Sequence, residues 1–430
     1  MAIDTPARIA VLGAGPIGLE AALYGRYLGY EVEIFERGRV CEHVLQRGHA
    51  RIFTPFGQNR SPLALAALKA QDPDWQPPAD DALLTGRETV EKFWRPLATS
   101  DLLVDGLHEQ TAVVAVGREG LLRRDLAGDE TRGDGLFRLL VSSKDPAGAS
   151  HEHYSSADIV IDATGTLGNH HWMGDVGVPA LGELAAESHI DYGLPDMLGR
   201  DRDHFAGKRV LLVGAGHTAA ANALTLAQLA RECPDTWVTW ITRADRDADG
   251  DPIPRIPPVR QIAGDPFSER DRLARWANAL VADDSNHVDY CPATCVEQMV
   301  WHGELDRFAV RLSGQHAGDL EVDRIVASVG HSPDFRLCRE LQLELCPLTG
   351  GPAKLGVALS QTAATSHALP VCTPELLFQP EPHYYTLGAK SFGRDPRFLI
   401  SAGLEQVRVL YSIIGDRADL NLYKSVAALC

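Results

Sequence analysis

Residues 8–36 read RIAVLGAGPIGLEAALYGRYLGYEVEIFE. A short apolar run, RIAVL, gives a strand, and the glycine turn Gly13-Ala14-Gly15-Pro16-Ile17-Gly18 follows. A helical stretch then leads into EVEIF, which alternates as a second strand. Such a βαβ unit needs a tight turn at Gly13, a bare backbone at Gly15 and close helix–strand packing at Gly18. The free N–H groups and positive dipole end of the helix then suit a pyrophosphate. Glu36 closes the second strand, where a carboxylate accepts both ribose hydroxyls and repels a 2′-phosphate.

Residues 209–243, RVLLVGAGHTAAANALTLAQLARECPDTWVTWITR, repeat the order with a longer helix. Alanine takes the third place in Gly214-Ala215-Gly216-His217-Thr218-Ala219. The following strand ends Ile241-Thr242-Arg243, with Arg246 just beyond. No acid stands where Glu36 stood; a guanidinium does. Arginine meets a 2′-phosphate through paired, charge-assisted hydrogen bonds, so this half is expected to take NADP(H). His217 is placed either to meet a phosphate or nicotinamide or to cap the helix. Two further strands end in glycine, ADIVIDATG (157–165) and DRIVASVG (323–330). Each follows its βαβ unit where such a domain closes.

A chain of 430 residues suits two to three domains. Its hydrophobic content of 45% is that of a globular protein with real cores. The net charge of −17 argues against nucleic acid and anionic membrane surfaces as partners. Eight scattered cysteines form no CxxC pair, which suggests reduced thiols in a cytoplasm. No apolar run is long enough for a membrane span, and no signal peptide fits ahead of the first strand. The polar stretches 117–135 and 244–271 read as loops. The closing HYYTLGAKSFGR and FLISAGLEQVRVLYSIIG read as strand, turn and amphipathic helix, returning to complete the first domain.

The two glycine turns, the intervening ATG (163–165) and the later VGHSPD (329–334) resemble the two-dinucleotide-binding-domain flavoproteins, which include thioredoxin reductase-like enzymes and flavin-containing monooxygenases. The resemblance implies an α/β fold of two Rossmann-like domains. The FAD domain is discontinuous, at 1–167 and 332–430, with an NADPH domain at 168–331 inserted into it. Thr164, Gly165, Gly388 and the backbone around Gly403 are implied flavin contacts. The stretch 163–183 is similar to the monooxygenase branch. The fingerprint of that branch is degenerate here, matched only near Ser188–Tyr192, and Leu387-Gly388-Ala389-Lys390 lacks the usual ribityl-binding acid.

The implied reaction passes hydride from NADPH to N5 of FAD. Three routes then lead the electrons away. A disulfide route lacks its cysteine pair: Cys291 and Cys295 have one residue too many between them, and Cys41 stands alone. An oxygen route forms a C4a-peroxide, which needs a dry pocket and hydrogen-bond donors. Arg51 and Asn59, in RIFTPFGQN, are the catalytic candidates for that pocket, unless the segment is an ordinary loop. His170, His171 and Trp172 are candidates to line the cleft between the domains. Nothing selects for the third route, a quinone or protein acceptor. No metal site is expected. The reading is a monooxygenase acting with O₂ on a small molecule; the alternative is a reductase of a non-oxygen acceptor. A homo-oligomer is compatible with either.

Overall fold

The computed structural model describes residues 5–145, 148–282, 287–362 and 368–427. The chain divides into two compact units, Met1–Asn169 with Ser332–Cys430, and His170–His331.

In the first unit five strands lie in the order Tyr384–Thr386, Ile159–Asp162, Arg8–Leu12, Glu31–Phe35, Leu107–His108. All neighbours are parallel. Parallel neighbours need crossovers, and the helix Pro16–Tyr27 provides the first. Ile9 and Val11 share a core with Leu19 and Leu23 of that helix and with Val407 and Leu410 of the helix Ile400–Ile414. On the other face Ala10 and Leu12 meet Val116, Phe137, Leu139 and Val141. These belong to an antiparallel sheet of Thr111–Arg118, Phe137–Lys144 and Ser150–Ala157. Strands covered on both faces read as unbroken apolar runs, which is why RIAVL shows no alternation.

The second unit repeats the plan. Its parallel strands follow the order Val288–Cys291, Trp237–Ile241, Arg209–Val213, Arg324–Ala327. The helices His217–Glu232 and Ser268–Leu280 cover the face of Val210, Leu212, Val238 and Trp240. An antiparallel sheet, Thr294–His302, Arg307–Gly314 and Gly318–Val322, covers Leu211, Val213, Ile241 and Ile325. Each fully buried Leu or Val in these layers contributes about 1.5–3 kcal/mol.

Both stretches expected as loops carry more order than their composition suggests. Within 117–135, Arg118 and Arg132 both enter the interior and share the buried Glu381 at 2.8 and 2.9 Å. Arg132 also donates to the carbonyls of Leu122 and Asp125 at 3.0 and 2.8 Å, so the excursion is clamped from inside. Within 244–271 lies a short hairpin, Asp245–Arg246 with Pro252–Ile253, and the helix beginning at Ser268. In the first unit, Thr85 caps the helix beginning with Gly86–Thr89 through a reciprocal pair with Glu88. That helix widens at Val90–Trp94, just ahead of Pro96, which has no N–H to donate four residues back. Phe93, Trp94 and Leu97 fall in the core.

Among the described residues no helix is long and apolar enough to cross a membrane, and no cysteines are bridged. Cys430 lies outside the described residues.

Candidate cofactor cavity and nucleotide-binding turns

At the carboxyl ends of the first unit's parallel strands lies a cavity of about 420 Å³, lined by Gly13, Gly15, Glu36, Thr164, Gly165 and Gly388 among others. Gly13 turns at φ +96°, and its N–H donates to the Phe35 carbonyl at 2.8 Å. A Cβ at Gly18 would stand 1.9 Å from the Gly13 carbonyl oxygen, so helix and turn touch backbone to backbone there. A Cβ at Gly15 would meet nothing within 4 Å. That empty side faces the cavity beside a helix start with no side-chain cap, the arrangement an anion requires. Glu36 accepts from the amides of Ala14 at 2.9 Å and Gly38 at 2.8 Å, which aim its carboxylate along the turn.

Opposite, the ATG turn is shaped from below. Asp162, fully buried, accepts from the Thr164 hydroxyl at 2.7 Å, the Thr164 amide at 3.2 Å and the Tyr384 hydroxyl at 2.7 Å. Thr164 therefore turns its hydroxyl and amide inward while still lining the cavity, the position expected of a flavin contact. Gly388 lines the cavity and donates to Gln406 at 2.9 Å. Gly403 does not line it: its Cα packs against Ile17, where a Cβ would stand 2.4 Å from Cδ1. Phe398 and Ile400, a few residues earlier, form the wall instead.

The two residues expected to be catalytic lie elsewhere. Arg51 is exposed and bridges to Thr85. Asn59 is buried, accepting from the Thr54 hydroxyl at 2.8 Å and donating to the carbonyls of Thr54 and Pro55. Its amide closes its own loop, and neither residue lines the cavity. Cys41 does line it, but its thiol donates to the Ala14 carbonyl at 3.6 Å. Burial, with Glu36 nearby, pushes that thiol far above the usual range.

In the second unit Gly214 turns at φ +129° and donates to the Ile241 carbonyl at 3.1 Å, as Gly13 does to Phe35. A Cβ at Gly216 would again meet nothing within 4 Å, and Ala219 is fully buried in the third place. Because Ile241 matches Phe35, the residue in the position of Glu36 is Thr242, not Arg243. The longer helix hides this one-residue offset in the sequence. Thr242 turns its hydroxyl to Tyr290 at 2.6 Å. Arg243, next along and half-buried, donates to the Trp172 carbonyl at 2.8 Å. Arg246 is exposed on Gly250, and Asp245 is clamped by Arg255 and Arg260. Burial, then Arg270, lowers the pKa of His217 and favours its neutral form at the first helical position.

Around the second unit's entry, His170 pairs with Glu187 at 3.1 Å and stacks on Tyr192, while Trp172 meets His170 edge-on. His171 bonds the Val329 carbonyl at 3.2 Å. Burial raises the pKa values of Cys291 and Cys295, which leaves both poor nucleophiles. Among the described residues no group of three or more His, Cys, Asp or Glu is placed to hold a metal. Sequence reasoning missed Asp162 and Lys390, which lie just behind the wall of the first unit's cavity; a lysine inside the apolar run LGAKSF was the available signal.

No protein-family model and no curated protein matches the chain. Solved structures do. The bacillithiol disulfide reductase of Bacillus cereus superposes with a TM-score of 0.64 at 14% identity, over 96% of this chain and 99% of that one. The FAD-bound cadaverine monooxygenase of desferrioxamine biosynthesis from Erwinia amylovora gives 0.61 at 14% identity, over 96% of each. A flavin monooxygenase from Stenotrophomonas maltophilia gives 0.52 at 18%, over 99% of each. At these identities the likeness is one of architecture, and the chain has the fold of the two-dinucleotide-binding flavoprotein oxidoreductases.

Proposed function

We propose that the chain is an FAD-dependent oxidoreductase that draws electrons from NADPH and uses them with O₂ to oxygenate a small molecule. The discontinuous first unit is the FAD domain and the second, inserted unit the NADPH domain. The residues present fit both cofactors. In the first unit the open side of Gly15 and the uncapped helix start would hold a pyrophosphate, and Glu36 a ribose without a 2′-phosphate. In the second, Gly216 repeats the open side, Thr242 brings no acid, and Arg243 offers a guanidinium to a 2′-phosphate. FAD, when bound, supplies the electron chemistry; the protein supplies binding, orientation and electrostatics. A cytoplasmic setting fits the unbridged thiols.

One observation carries the choice of oxygen over a disulfide. Cys41 is the sole cysteine among the described residues lining the cavity, and its thiol is buried, protonated and bonded to a carbonyl. A buried thiol of this kind is a poor electron relay, because the thiolate is the reactive form. The likeness to a cadaverine monooxygenase supports an amine or similarly small substrate.

The test is a screen of purified, FAD-loaded protein for compounds that stimulate NADPH oxidation, with product masses recorded. The expected result is a product heavier by one oxygen atom. Stimulation by low-molecular-weight disulfides under anaerobic conditions, with no oxygenated product, would replace this reading with the reductase one, which the bacillithiol disulfide reductase likeness favours.

A further inference from the structure

We infer that the buried ion pair Lys390–Asp162 is a positioning and electrostatic device for the flavin, acting through Thr164; the inference rests on the FAD reading of the cavity. Lys390 has no exposed surface, and a lysine that deep is rare unless paired. Its Nζ lies 2.5 Å from Asp162 Oδ2 and 3.0 Å from the Thr164 hydroxyl, and 4.6 Å from the centre of the Phe335 ring. Thr164, and Ala389 next to Lys390, both line the cavity. The ammonium thus sits one hydroxyl behind the wall.

Stability alone does not account for the pair. Replacing a buried ion pair with apolar residues of similar volume is often neutral or stabilising, so a pair kept this deep is weak evidence of a folding role. Its placement argues for another. Asp162 takes donors from Lys390, Tyr384 and both polar groups of Thr164, so one carboxylate sets the conformation of the turn that faces the cavity. Tyr384 in turn accepts from the Cys338 thiol at 3.1 Å, which ties in the segment that carries the cavity residue Leu337. In a low-dielectric wall, a fixed charge changes the cost of adding electrons nearby far more than it would in water.

The two charges have opposite signs, which separates an electrostatic role from mere loosening. Lys390→Met is expected to lower the midpoint potential of bound FAD, and Asp162→Asn to raise it, both read by equilibrium reduction against a reference dye. Shifts in the same direction, or none, overturn the electrostatic role. Either single variant can fail to fold because it strands a buried group. Thr164→Val keeps both charges and the side-chain shape while cutting the link to the wall. It is expected to stay folded with a modestly lowered melting temperature, because the two charges still pair, and to weaken FAD binding about tenfold. Unchanged FAD binding in Thr164→Val overturns the positioning role whatever the charge variants do. A wild-type chain that takes up no FAD is a separate result, and it overturns the reading beneath the inference.

Discussion

After the second strand of the first unit stands Glu36, held by the amides of Ala14 and Gly38; after that of the second stands Thr242, turned away to Tyr290. The turns before them are alike, with Gly13 and Gly214 both at positive φ and both bonded to the end of the next strand. The turn geometry is therefore common to both units, and what differs is the residue that ends the second strand, which on the proposed cofactor reading is the one that inspects the ribose. Selectivity between dinucleotides can change there at a single position while the backbone stays fixed. The third glycine differs too: Gly18 sits against the Gly13 carbonyl, whereas its counterpart is already Ala219.

The largest effect expected from this comparison is at Gly18. Gly18→Ala forces a methyl to within 1.9 Å of a backbone oxygen, which should cost on the order of 3 kcal/mol and abolish FAD retention. Ala219→Gly, the reciprocal change, should cost only about 1 kcal/mol of helix stability. Thermal melting with and without FAD compares the two; equal losses would mean that the turns are not built differently.

Two positions beyond, the first helix buries Glu20 where the second has Ala221. Glu20 is fully buried, and desolvation pushes its pKa up to about 7 against the smaller opposing pull of Ser61 and Tyr423. An acid raised in the folded state is stabilising below its unfolded value, and that contribution is lost as pH rises from about 4.5 through 7. The loss is about 3 kcal/mol at 1.36 kcal/mol per unit. Glu20→Gln should flatten the decline, and a wild-type melting temperature that does not fall between pH 5 and 8 would contradict it.

Next come the ribose positions themselves. Glu36→Ala should weaken FAD binding by about 2 kcal/mol and leave the apparent affinity for NADPH unchanged. Arg243→Ala should do the reverse, weakening NADPH by about 1.5–3 kcal/mol with NADH unaffected. Crossed effects in steady-state and FAD-titration assays would merge the two sites that the comparison keeps apart. The smallest effect is expected at Cys41: Cys41→Ser should leave turnover within about twofold, since the thiol's chemistry is not used.

The βαβ units were legible because their signals are local: an apolar run, glycines at fixed offsets, then a second run. The offset of Thr242 was not, because the helix His217–Glu232 is longer than Pro16–Tyr27 and only the bond from Gly214 to Ile241 fixes the register. The pairings of the long-range clusters were not legible either, although a lysine within the apolar LGAKSF hinted at one of them. Lys390 meets Asp162 across 228 positions and Arg132 meets Glu381 across 249, and no local pattern names the partner. At Asn59 the structure shows a local role that the sequence did not announce. A polar residue after a Pro-Phe-Gly turn suits a pocket, yet a short loop needs an amide to close its own carbonyls.

The account depends above all on the first cavity being a flavin site, and anaerobic titration of the purified chain with FAD, followed by NADPH, tests this directly. One equivalent of FAD should bind, shift the flavin absorbance and bleach on addition of NADPH; a chain that stays colourless after excess FAD would contradict it.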